Sequence, residues 1–151
     1  MAERFGPRLP LPFESYSEDA VTLSSVRDEQ LAVLFQNCDT HEMEIWVTTK
    51  IEPNAMSWSK FLAVDMNSLT GLWFYGGGSF LIDEENKAVA VFDEDKNVSE
   101  NRNTAYFIGV NGYFREVDLG KITTGKEIFF PHAFSYVPSS VLFESGSYEK
   151  R

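Results

Sequence analysis

One cysteine, Cys38, stands in 151 residues, so no internal disulfide can brace the fold, which fits a reducing compartment. Histidines number two, His41 and His132. Cys38 and His41 make a single C-x-x-H pair with no second pair to complete four ligands, so a structural zinc is not expected. Bases are scarce as well: 13 Lys and Arg face 23 Asp and Glu, a formal charge of −10. Nucleic-acid phosphates, which need clustered bases, are therefore disfavoured as partners. Apolar runs are short, none nearing the roughly 20 residues of a membrane-spanning helix. The opening MAERFGPRLP has no apolar signal segment. A cytoplasmic or nuclear location away from membranes is expected.

Enzyme signatures are missing too. The chain has no G-x-S-x-G nucleophile elbow, no H-E-x-x-H zinc motif and no P-loop. Gly76-Gly77-Gly78-Ser79 precedes a strand-like run, whereas a dinucleotide cradle follows a strand and opens a helix. Asp93, Asp95 and Asn97 match the first ligand positions of a calcium loop, but Val98 stands where that loop needs glycine and Thr104 where it needs glutamate. Asn97-Val98-Ser99 is a formal glycosylation sequon that only a secreted chain would expose to the transferase. No catalytic residue, metal or cofactor is expected.

What is present is β-forming material. Hydrophobic residues make up 43% and aromatics 15%, enough apolar matter for a core. The dominant period is two. VTLSS (Val21 to Ser25), QLAVLFQ (Gln30 to Gln36), EMEIWVTTK (Glu42 to Lys50) and SKFLAVDM (Ser59 to Met66) read as four strands. A second quartet follows in SFLIDE (Ser79 to Glu84), KAVAVFD (Lys87 to Asp93), TAYFIGV (Thr104 to Val110) and YFREVDLG (Tyr113 to Gly120). The short polar connections permit antiparallel neighbours and leave no room for helical crossovers. Asn111-Gly112 is the strongest hairpin signal, because a tight primed turn needs positive φ at both central residues.

The two quartets repeat. LAVLF from Leu31 matches AVAVF from Ala88, and EIWV from Glu44 matches AYFI from Ala105, a spacing of roughly 60 residues. A four-stranded antiparallel meander recurring at this period reads as a propeller blade, so the expected fold is all-β and kelch-like, an incomplete propeller. Arg4 to Phe13 would supply an arm from a preceding blade, and Ile122 to Phe143 the first strands of a following one. The domain is expected over 1–144, with 145–151 a frayed tail. Open sheet edges would favour self-association. Core candidates by alternation are Leu31, Val33, Phe35, Ile45, Val47, Leu62, Val64, Val89, Val91, Phe107 and Val117, although alternation does not say which face of each strand turns inward.

Surface for recognition is what remains. In Glu42 to Val47, alternation sets Met43, Ile45 and Val47 against Glu42, Glu44 and Trp46. Trp46 is either an exposed anchor among acids or a side chain covered by a second sheet. LTGLWFYGGG (Leu69 to Gly78) places Trp73, Phe74 and Tyr75 in a glycine-flanked joint between the quartets, as a core plug or as a contact for a ligand or peptide. Between Asp83 and Glu100, seven acids stand against two lysines. Asp83, Glu84, Glu85, Asp93, Glu94 and Asp95 form either a solvated hairpin rim or a field that steers a basic partner.

RFGPRLPLPF (Arg4 to Phe13), EIWVTTKIEPNAMSWSKFLAVDM (Glu44 to Met66) and GSFLIDEENKAVAVFD (Gly78 to Asp93) together resemble the associated domain that follows the F-box in the plant F-box and F-box/kelch-like family. The resemblance runs from Arg4 to about Phe143, with its blocks in the family's order. It implies a non-catalytic module that holds a protein substrate, while a separate F-box docks on the Skp-type adaptor of a cullin ubiquitin ligase. Nothing in the chain resembles the F-box helices, so binding to the Skp adaptor is not expected. A different class, a small-ligand or glycan-binding β-domain built on the loop at Trp73, would require a concave pocket with aromatics beside convergent polar groups.

Overall fold

A computed structural model describes residues 6, 8–27, 30–52, 55–74, 79–95 and 102–121, omitting the side chains of residues 94, 95 and 121. Tyr75, the triple glycine Gly76 to Gly78, the sequon, the segment from Ile122 to Phe143 and the tail lie outside them.

The chain forms two four-stranded antiparallel meanders in sequence order. The first holds β1 (Ala20–Val26), β2 (Gln30–Gln36), β3 (Glu42–Glu52) and β4 (Ala55–Asp65); the second holds β5 (Ser79–Asp83), β6 (Ala88–Asp95), β7 (Arg102–Gly109) and β8 (Phe114–Lys121). All eight strands overlap the runs that period-two alternation of β-branched and aromatic residues places, although β4 begins at Ala55, four residues before the expected Ser59. The repeat is structural: LAVLF and AVAVF are the second strands of their sheets, EIWV and AYFI the third. At the tip of β7–β8, Asn111 (φ 61°) and Gly112 (φ 73°) both take the left-handed conformation, and the N–H of Tyr113 donates to the Val110 carbonyl at 3.4 Å. This is the primed turn whose twist suits a right-twisted ribbon.

One element departs from the sequence expectation. The fourth strand ends at Asp65, and Met66–Leu69 make a single helical turn, α1. Asp65 stops the strand by accepting from the N–H groups of Asn67 and Ser68, the bonding of a helix N-cap.

The core lies between the sheets. Leu34, Met43, Ile45 and Leu62 of the first face Phe80, Val89, Val91, Tyr106 and Ile108 of the second, joined by Met66 and Phe74 from the connection. Phe107, expected in the core, stands instead on the opposite face of β7 and is 36% exposed. Tyr106 and Ile108 take the inward phase, opposite Val91 and Val89 in the ladder. Val64, Val117 and Leu31 are only half-buried.

Strand β2 is buried on both sides. Val33 and Phe35 point away from the second sheet and are covered all the same. The ring of Phe13 stacks on Phe35 at 4.3 Å, and the indole N–H of Trp58 donates to the carbonyl of Pro10 at 3.0 Å. The opening segment is thus an arm laid across the outer face of the first sheet. Proline suits it, because an arm of this kind needs no ladder hydrogen bonds from those residues.

Candidate functional site

Trp46 lies on the arm side of β3, half-buried, with Val33 and Lys60 as its cross-strand neighbours. Its indole N–H donates to Glu44 at 2.8 Å. The Lys60 ammonium donates to the same carboxylate at 2.7 Å and sits 4.8 Å from the centre of the indole ring. Alternation on a pleated strand puts Glu44 and Trp46 on one face, and antiparallel pairing brings Lys60 between them. The outcome is an aromatic anchor whose polar edge is satisfied and whose orientation is fixed. Met43, Ile45 and Val47 take the inward face as the alternation requires.

The joint between the sheets divides the aromatic run. Phe74 is 1% exposed and meets Tyr106 with ring centres 5.7 Å apart, so it is a core plug and offers no surface to a partner. Trp73 is half-buried, with its ring against His41 at 5.4 Å. A fully buried side chain sets this split. The Gln36 amide donates to the carbonyls of Leu72 at 2.9 Å and His41 at 3.3 Å, while its oxygen accepts the N–H of Phe74 at 3.0 Å. Backbone held on both sides of Trp73 turns Phe74 inward. Trp46 and Trp73 belong to different parts of the surface, on β3 and on the joint.

The acids are equally dispersed. Asp83 and Glu85 are exposed at the β5–β6 turn, and Glu84 pairs with Arg27 of the β1–β2 turn, a contact that clips the two sheets together. Asp93 is 2% exposed, on the inward phase of β6 opposite Thr104, and is no part of a rim. The side chains of Glu94 and Asp95 lie outside the described residues.

Several carboxyls are held below the ordinary aspartate range. For Asp83 the cause is the Asn86 side-chain amide and then its N–H; for Asp65 it is the Ser68 hydroxyl and then its N–H; for Asp118 it is Arg102 and then the N–H of Gly120. A depressed folded-state value means the unfolded chain binds the proton more readily. The stabilisation is therefore complete above the ordinary value of about 4 and is lost as pH falls through the lower folded values. A series of thermal melts is expected to be flat above about pH 5 and to drop below about pH 4. Asp83→Asn should shrink the drop.

Two concavities among the described residues bear on the candidate site. A cleft of about 560 Å³ runs between Phe61–Asp65 of β4, Leu69 of α1 and the Gly109–Gly112 turn. A second, of about 400 Å³, is lined by Asp83, Asn86, Phe107, Val110 and Tyr113, with Tyr113 53% exposed. Tyr113, between the turn and β8, carries no signal in the alternation of β7, and Phe107 was expected in the core because β7 is apolar on both faces and its alternation has two equivalent phases. No group of three or more metal-ligating side chains occurs among the described residues. No helix among them is long and apolar enough to cross a membrane.

Comparison with known proteins gives one consistent result. Residues 1–143 match the model of the F-box associated beta propeller domain. The chain is 56% identical over 142 residues to F-box/kelch-repeat protein At3g16740 of Arabidopsis thaliana, covering 92% of this chain and 36% of the relative. F-box protein At5g36730 of the same plant is also 56% identical over 142 residues, covering 92% of this chain and 34% of the relative. The chain spans about a third of the length of these relatives. No solved structure matches.

Proposed function

We propose that this chain, which belongs to the F-box associated beta propeller domain family, is a non-catalytic recognition module that holds a protein substrate for an F-box ubiquitin ligase, in the cytoplasm or nucleus. The match over residues 1–143 carries this reading. Two blade-like sheets with a shared core support it, since such a scaffold displays turns and strand edges rigidly. Trp46, Trp73 and the exposed acids Asp83 and Glu85 are the proposed contacts, and the acidic charge favours a basic partner.

The test is capture of partners from plant extract, followed by titration of the purified partner at two salt concentrations. Trp46→Ala is expected to weaken binding by about 2 kcal/mol, roughly thirtyfold in Kd, without lowering the melting temperature appreciably. Reversing Asp83 and Glu85 to lysine is expected to slow association and flatten its salt dependence. If binding is unaltered by every one of these changes, the proposed surface is wrong.

A second reading, a small-ligand or glycan-binding domain, draws on the smaller cleft, where Phe107 and Tyr113 stand beside Asp83 and Asn86. An aromatic platform next to fixed polar groups suits a sugar ring. Glycan-array binding abolished by Tyr113→Ala, with no protein partner captured, would favour it.

A further inference from the structure

A strand with an unpaired edge presents backbone groups that need hydrogen bonds, and β4 has such an edge. It pairs with β3 on one side, and among the described residues no strand pairs with the other. The edges of β1 and β5 face each other instead, with the Ser24 hydroxyl on the Phe80 carbonyl at 3.3 Å.

One hydrogen bond gives the phase of the β4 edge. The N–H of Met66 donates to the carbonyl of His41 at 3.3 Å, so the Glu42–Asp65 pair inside it exchanges no bond of its own. Alternation along an antiparallel ladder gives Ala63, opposite Glu44, the same phase. Its N–H and C=O therefore point away from β3. Ala63 is exposed and lines the larger cleft.

The rest of the cleft suits an extended peptide. Phe61, Val64 and Leu69 offer half-buried apolar surface, and Asn111 stands on the far wall. From Phe61 to Asp65, at about 3.3 Å per residue, the edge runs roughly 16 Å, room for about five residues. The bulge at Phe61, where the β3–β4 register shifts, ends the straight stretch. Among the described residues Asp65 is the only charged side chain lining the cleft, and the whole chain carries −10. The Ser68 hydroxyl and N–H hold this carboxyl below the ordinary aspartate range.

We infer that this cleft takes an extended segment of a partner protein, added as a fifth strand along β4, apolar against Val64 and Leu69 and basic beside Asp65. Main-chain pairing supplies the affinity and alternate side chains the selectivity. The inference rests on the protein-recognition reading and assigns it a site.

The probe is a labelled synthetic heptapeptide alternating valine and threonine with lysine at each end, titrated against the whole chain by fluorescence polarisation. Ala63→Pro removes the outward N–H and leaves the β3 ladder intact. It is expected to weaken binding about fivefold, from the one lost main-chain bond, with the dichroism spectrum unchanged. Methylating the peptide nitrogens that face β4 should do the same, and methylating the intervening ones should not; this series decides the matter on the unaltered protein if Ala63→Pro fails to fold. Replacing the peptide's lysines by glutamate should also weaken binding about tenfold. No saturable binding of the lysine peptide, or equal binding by Ala63→Pro, overturns the edge site. If Ala63→Pro still captures the partner found in extract, protein recognition stands and only this site falls; if no protein is captured by the unaltered chain, the underlying reading falls.

Discussion

Phe74→Ala is expected to destabilise the fold by about 3–5 kcal/mol, the range for removing a large buried aromatic without full collapse of the space it leaves. Phe74 is fully buried, touches Tyr106, and joins the inward faces of both sheets to the segment that connects them. Its loss should loosen the sheets from each other as well as open a cavity. Against a typical stability of about 5–15 kcal/mol, the variant should melt far below the unaltered chain. Trp73→Ala, one residue earlier, should cost much less, since Trp73 is half-buried and packs on His41. Urea unfolding of the two variants side by side measures the difference. Equal losses would mean that the connection is not divided as described.

Gln36→Leu should be nearly as damaging, by a different route. Leucine fits the volume, but the Leu72 carbonyl and the Phe74 N–H lose their partner. Each buried group left unsatisfied costs about 1–3 kcal/mol, so a loss of about 2–6 kcal/mol is expected. Gln36→Glu is the diagnostic companion. It retains an acceptor for Phe74 but sets a carboxyl against the carbonyls of Leu72 and His41. Burial and those carbonyls should raise its folded-state pKa, so its stability should fall as pH rises above the ordinary glutamate value of about 4.3. That slope is opposite in sign to the acid loss expected from Asp83 and Asp65. Urea midpoints of Gln36→Glu that do not depend on pH would show that the amide is not held as described.

The eight strands, their order and the Asn111-Gly112 turn were legible in the residues, because a period of two, short polar connections and a residue pair suited to positive φ are local properties of the chain. The repeat of LAVLF and AVAVF pointed to two equivalent sheets for the same reason. Which face of each strand turns inward was not legible wherever both faces are apolar. β7 could have turned Ala105 and Phe107 or Tyr106 and Ile108 toward the first sheet, and the packing of the two sheets selected the latter pair; Ala105 is buried on the opposite face and Phe107 is not. β2 is likewise apolar on both faces: Ala32 and Leu34 join the core between the sheets, whereas the expected Val33 and Phe35 turn to the face that the arm through Pro10 and Phe13 covers. The aromatic joint looked like one cluster in sequence; Gln36, distant along the chain, splits it by holding the backbone on both sides of Trp73. The edge of β4 and its cleft against the Gly109–Gly112 turn exist only because strands distant in sequence are brought together. Local backbone chemistry thus determined the elements, and the burial of apolar surface between sheets decided which side chains are core and which remain for a partner.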